Sequence, residues 1–306
     1  MAAQARVIVF CGKGGVGKST LSVALGLKLA RAGRRVLVVS SHPLDELAVT
    51  LSLESLSERF AEAAERLFVV YIDPVEQIKD LVETHFPLPM MARAVLSSSI
   101  FQNLIAVAPG LKEFFFLVRM QQLAERRAPE RANIPEYDDL IWDAPATGHF
   151  LSTLRAAKGF ETYLSGPLAN AGAEMHRFFS AAGSLRIAAV TQPEEMAITE
   201  THELCEGLWR DFGIRPATVI LNAVSPVCLA EPADLGTLDL ANSGEAMRFA
   251  IERGMAEREL CDRLAEDLPI PQLFVPRLAH GDGPPEECDL DLLNDLGQYL
   301  DLEQLA

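Results

Sequence analysis

Gly12-Lys13-Gly14-Gly15-Val16-Gly17-Lys18-Ser19-Thr20 is the stretch on which the reading of the whole chain turns. It fits G-x-x-x-x-G-K-[ST] at Gly12, Gly17, Lys18 and Ser19. Such a loop works because glycines let successive backbone N–H groups face phosphate oxygens, while the N-terminus of the following helix adds its positive end. Lys18 then reaches the β- and γ-phosphates, and the Ser19 hydroxyl ligates Mg²⁺. The surroundings match this chemistry. An apolar run of strand length at 7–10 precedes the loop, and Leu21, Ala24, Leu25 and Leu29 follow it at helical spacing, with Gly33 as a stop. The expectation is a nucleotide site at a strand-loop-helix junction.

Beyond the loop, apolar runs recur at 36–39, 67–72, 140–142, 187–190, 219–221 and 273–275. Several are apolar at consecutive positions, as in strands covered on both faces. Helical patterns lie between them, so the fold class is α/β, a mostly parallel sheet flanked by helices. No strand is expected between Ile72 and Leu140. That interval holds apolar clusters at 86–91 and 114–118, and with the apolar stretch 159–180 it reads as a helical subdomain inserted at about 74–135 into one domain spanning 1–306. The Met- and Phe-rich part of it, 86–120, is a candidate surface for an apolar helical client. The tail from 284 to 306 reads as an acidic amphipathic helix.

The 306 residues carry 27 Lys+Arg against 43 Asp+Glu, a net charge of −16, which opposes a nucleic-acid partner. The apolar run that follows Arg6 is too short for a signal-peptide core with its cleavage site, and no stretch reaches the ~18 apolar residues of a membrane span, so a cytoplasmic protein is expected. Cys11, Cys205, Cys228, Cys261 and Cys288 contain no C-x-x-C pair. They read as reduced, apolar-packing thiols, with no cysteine zinc site.

Two motifs carry a family resemblance. Lys13 makes the loop K-G-G-x-G-K-[ST], similar to that of a group of dimerising P-loop ATPases. A lysine one residue after the first glycine is badly placed to duplicate Lys18 but can reach across a symmetric interface. Asp143-Ala144-Pro145-Ala146-Thr147-Gly148-His149, after the run 140–142, resembles the D-T-A-P-T-G-H motif of the ArsA/GET family, the arsenite-pump ATPases and the ATPases that target tail-anchored membrane proteins. The likeness continues through 108–113, 150–154 and 191–196.

That resemblance implies a P-loop NTPase that binds ATP and Mg²⁺. The loop residues Gly12, Lys13, Gly14, Gly15, Val16, Gly17, Lys18, Ser19 and Thr20 would hold the phosphates, and Ser19 and Asp143 the metal. Residues 147–149 would belong to a switch segment. Asn222 matches the family's adenine-reading asparagine, and Pro276 and Arg277 match the loop over the base. Lys13 would act on the partner subunit's nucleotide, in a homodimer or in a heterodimer with a related ATPase. The sequence departs from the family after the second strand: His42 stands where the family has its water-orienting aspartate, and Asp45 lies three residues on. A neutral imidazole accepts a proton but brings no negative charge. The resemblance and this departure are compatible with two functions. In one, an ATP-hydrolysing dimeric switch uses His42 or Asp45 and couples nucleotide state to a client or membrane partner; in the other, the protein is a non-hydrolysing regulator or partner of an active relative.

Overall fold

The computed structural model describes residues 4–40, 61–85, 89–99, 110–128, 131–163, 167–180, 185–230, 244–278 and 290–301. In chain order the elements are β1 (Arg6–Gly12), α1 (Lys18–Arg31), β2 (Val36–Ser40), β3 (Ala61–Ala64), β4 (Leu67–Tyr71), α2 (Pro74–His85), α3 (Pro89–Ser97) and α4 (Leu111–Glu125). There follow β5 (Arg127–Ala128), β6 (Arg131–Pro135), β7 (Asp139–Ala146), α5 (Thr147–Tyr163), α6 (Pro167–Ser180) and β8 (Leu185–Thr191). The last are α7 (Glu195–Phe212), β9 (Thr218–Val224), α8 (Pro226–Leu229), α9 (Glu245–Asp267), β10 (Gln272–Pro276) and α10 (Leu290–Gln298).

Eight strands form one sheet in the order β10-β9-β8-β1-β7-β2-β4-β3. Neighbours are parallel throughout, except that β3 runs antiparallel to β4. The consecutive apolar residues of the inner strands have a direct cause. Val7, Val9, Cys11, Leu140, Trp142, Ile187 and Ala189 face one core, under α4 to α7. Their alternates Ile8, Phe10, Ile141, Ala188 and Val190 face the other, under α1 and α10. With both faces covered, period-2 alternation of side chains leaves no solvent-facing side along these strands, and the buried polar residues Ser40, Asp139, Asp143 and Thr191 fall at their ends or next to the loop.

Two segments differ from what the sequence leads one to expect. A two-stranded hairpin, β5 with β6, lies in the interval where no strand was expected. Phe114, Phe115, Phe116, Leu117 and Met120 of α4 are buried, so this part of the apolar interval is core. Phe116 packs on Trp142 with ring centroids 5.2 Å apart, and Trp142 meets Phe150 at 5.3 Å. Helix α10 is part of the second core, through buried Leu293 and Leu296, with Leu300 just beyond it. Among the described residues no helix is long and apolar enough to cross a membrane. Cys11, Cys205, Cys228 and Cys261 are free and buried.

At the N-terminal edge of the sheet, fully buried Asp139 opens β7 and binds two arginines. Arg6 Nε, from the start of β1, donates at 2.7 Å, and Arg34 Nε, just ahead of β2, donates to the other carboxylate oxygen. Replacing the carboxylate leaves two cations without their partner, while both arginines keep some solvent. Asp139→Ala is therefore expected to cost about 3 kcal/mol, near the low end for breaking a buried ion pair. Urea unfolding should show this as a lower midpoint at unchanged slope.

Candidate functional site

The loop after β1 starts from a backbone contact that only glycine permits. Gly12 pairs with Val190 of β8 and Ala146 of β7, and a Cβ on Gly12 would lie 2.0 Å from the Val190 carbonyl oxygen. The chain turns there, and buried Val16 anchors the loop in the second core. Gly17 takes φ 93° at the head of α1, where a Cβ would meet the Asn222 amide nitrogen at 2.3 Å. No side chain caps α1, and its first turn carries no acid. Its leading N–H groups and positive end are thus left for an anion.

Lys18 Nζ donates to the Lys13 carbonyl oxygen at 2.8 Å, closing the loop on itself. Ser19 Oγ, in the first turn of α1, donates to Asp143 Oδ2 at 2.7 Å. Asp143 is buried in β7, in register with Phe10 of β1 and Ser40 of β2, so three strand ends converge on this carboxylate. A hydroxyl and a carboxylate this close form a hard-oxygen pair suited to Mg²⁺. Together with the glycine cradle, these donors fit a metal-bound triphosphate.

Asn222, near the end of β9, donates its amide N–H to the Val16 carbonyl at 2.8 Å and so braces the loop. Pro276 pairs with Val224, and the Arg277 N–H donates to the Val224 carbonyl at 2.8 Å, which brings residues 276–277 to the same end of β9. Beyond Asn222 the chain is tied to α9: Ser225 N–H donates to buried Glu257 at 2.8 Å, and Arg258 Nη2 to the Cys228 carbonyl at 2.6 Å. His149 lies in the first turn of α5, half exposed, with Nε2 4.0 Å from Glu113 Oε1 of α4. Lys13 Nζ lies 3.4 Å from Glu200 Oε1 of α7. Cys11, beside the loop, has its thiol pushed far up by burial and is chemically quiet.

Lys13, Lys18, Ser19, Asp143 and Asn222 thus gather around one loop. His42 and Asp45 lie outside the described residues. The sequence reading missed Glu200 and the Val190 carbonyl: the first is one acid among several on an amphipathic helix, and the second is backbone.

A parallel sheet carrying this loop at the carboxyl end of β1 defines a P-loop NTPase. The chain belongs to the ArsA ATPase family, described as anion-transporting ATPases, whose model matches residues 5–185. It is similar to ATPase BagA of Mycobacterium tuberculosis, 27% identical over 255 residues that cover 82% of this chain and 73% of the relative. It also resembles ATPase get3 of Botryotinia fuckeliana, 29% identical over 208 residues, covering 66% of this chain and 56% of the relative.

Two substitutions probe the cradle. Gly12→Ala sets a methyl group against backbone, and isothermal titration should find no nucleotide binding. In Asn222→Asp a carboxylate oxygen faces the Val16 carbonyl oxygen. Losing the donor leaves that acceptor unsatisfied at a cost of about 1–3 kcal/mol, so nucleotide affinity is expected to fall by roughly ten-fold or more with far-UV circular dichroism unchanged.

Proposed function

We propose that this protein is a dimeric Mg²⁺-dependent ATPase that acts as a nucleotide-controlled switch. The observation that carries the reading is the 2.7 Å contact of Ser19 Oγ with the buried Asp143 carboxylate, beside a loop whose helix end is free of acid. Phosphoryl transfer to water needs mainly positioning and charge stabilisation from a protein. The loop amides and Lys18 hold the phosphates, and Lys18 shifts from the Lys13 carbonyl to a phosphate oxygen. Ser19, and Asp143 through water, would hold Mg²⁺, which when bound would supply positive charge to offset that of the phosphates. Asn222 and residues 276–277 form the base side of the site.

Lys13 acts across the dimer on the γ-phosphate of the partner subunit. A cation supplied in trans is worth about 10³ to 10⁵ in rate in other NTPases. Closure of the dimer is then the step that permits hydrolysis. His149 and Glu113 connect the first turn of α5 to that of α4, a route from the nucleotide to the helices that follow β4. Along it the nucleotide state governs binding of an apolar client or a membrane-protein partner. His42 at the position of the family's aspartate supports a second reading, a nucleotide-binding regulator that needs an active relative.

Phosphate release from Mg-ATP, measured against protein concentration, separates the two. A dimeric ATPase gives a rate that climbs faster than linearly with protein and is lost in both Lys13→Ala and Lys18→Ala. A regulator binds ATP tightly and shows no turnover above the Lys18→Ala background.

A further inference from the structure

Lys13 is held at two points. Its backbone carbonyl is fixed by Lys18 Nζ at 2.8 Å, and its ammonium by Glu200 Oε1 at 3.4 Å. Glu200 belongs to α7, the helix that follows β8, and the Val190 carbonyl of β8 is the atom against which Gly12 is packed. The loop leaves β1, and the helix that carries Glu200 follows β8, the neighbour of β1 in the sheet, so the fold brings the two to the same end of adjacent strands.

Two ammonium groups on one short loop repel each other, and Glu200 supplies the counter-charge for the one that does not serve its own phosphates. The strength of the pair is intermediate by construction. The side chains of Lys13 and Glu200 are 29% and 36% exposed, so solvent screens the attraction. A part-exposed pair of this kind biases the lysine by a factor of about two to five. A buried pair would lock it in place.

We infer that Glu200 is a positioning residue for Lys13: it keeps the ammonium on its own protomer until the triphosphate of a closing partner subunit outbids it. The inference rests on the trans role of Lys13 proposed above and adds the element that restrains that lysine between closures. A restraint of this kind shifts the protein concentration at which the dimer becomes active and leaves the rate of the closed dimer alone, because the contact is already broken there.

The test is phosphate release at saturating Mg-ATP, titrated in protein, for wild type, Glu200→Gln, Glu200→Asp, Glu203→Gln and Lys13→Ala. Glu200→Gln is expected to lower the protein concentration for half-maximal rate by about two- to five-fold at an unchanged plateau. Glu200→Asp should fall nearer to wild type. Glu203→Gln removes the same charge from an exposed position of the same helix and should match wild type. No shift in Glu200→Gln, with Lys13→Ala inactive, overturns the inference and leaves the ATPase reading intact. An equal shift in Glu203→Gln assigns the effect to net charge and also overturns it. Lys13→Ala turning over at the wild-type rate overturns the reading beneath, and the inference with it. Where turnover is too slow to titrate, the same half-points are read as self-association by sedimentation with Mg²⁺ and a non-hydrolysable ATP analogue.

Discussion

The absence of a side chain at Gly12 is the constraint on which the site depends. With the Val190 carbonyl 2.0 Å from where a Cβ would be, β1 can run between β7 and β8 up to the last residue and then has to leave the sheet. The turn carries the chain over the strand ends, Val16 pins it, and α1 begins within six residues of Gly12, back across the face of Ile8 and Phe10. Ser19 meets Asp143 because the turn starts α1 beside a β7 carboxylate that strand register holds level with Phe10. A larger residue at Gly12 would displace all of these together.

Much of the fold was legible because its physics is local. The strand runs are apolar at successive positions wherever both faces are covered, and a glycine-rich loop followed by Lys and Ser announces itself within nine residues. What escaped was set by distant partners. The segment 61–64, Ala-Glu-Ala-Ala, is made of helix formers and is a strand only because the exposed edge of β4 offers it a ladder. The Phe-rich run of α4 has the composition of an adaptable surface, and only its packing on Trp142 shows it to be core. In the site, Asp143 was readable from its place after an apolar strand. The amide of Asn222 on the loop and the carboxylate of Glu200 on Lys13 depend on sheet order, which no local pattern records.

Charge is distributed unevenly in a way that suits the site. The molecule is strongly acidic as a whole, at −16, yet the first turn of α1 has no acid and the loop holds two lysines. Bulk repulsion discourages polyanions with many phosphates to satisfy, whereas a single triphosphate meets a local cationic cradle. The family match ends at residue 185, and it is the order of β8, β9 and β10 beyond it that brings Asn222 and residues 276–277 to the loop side.

The ion cluster at Asp139 gives the sheet two unlike ends. Arg6, Arg34 and Asp139 tie the starts of β1 and β7, and the turn into β2, by charge at the edge remote from the nucleotide loop. At the opposite edge the ties are the Ser19–Asp143 and Asn222–Val16 hydrogen bonds and the part-exposed Lys13–Glu200 pair. The sheet resembles a book bound along its spine: the buried charge cluster clamps one margin, and the nucleotide loop lies at the other, where the ion pair is part-exposed.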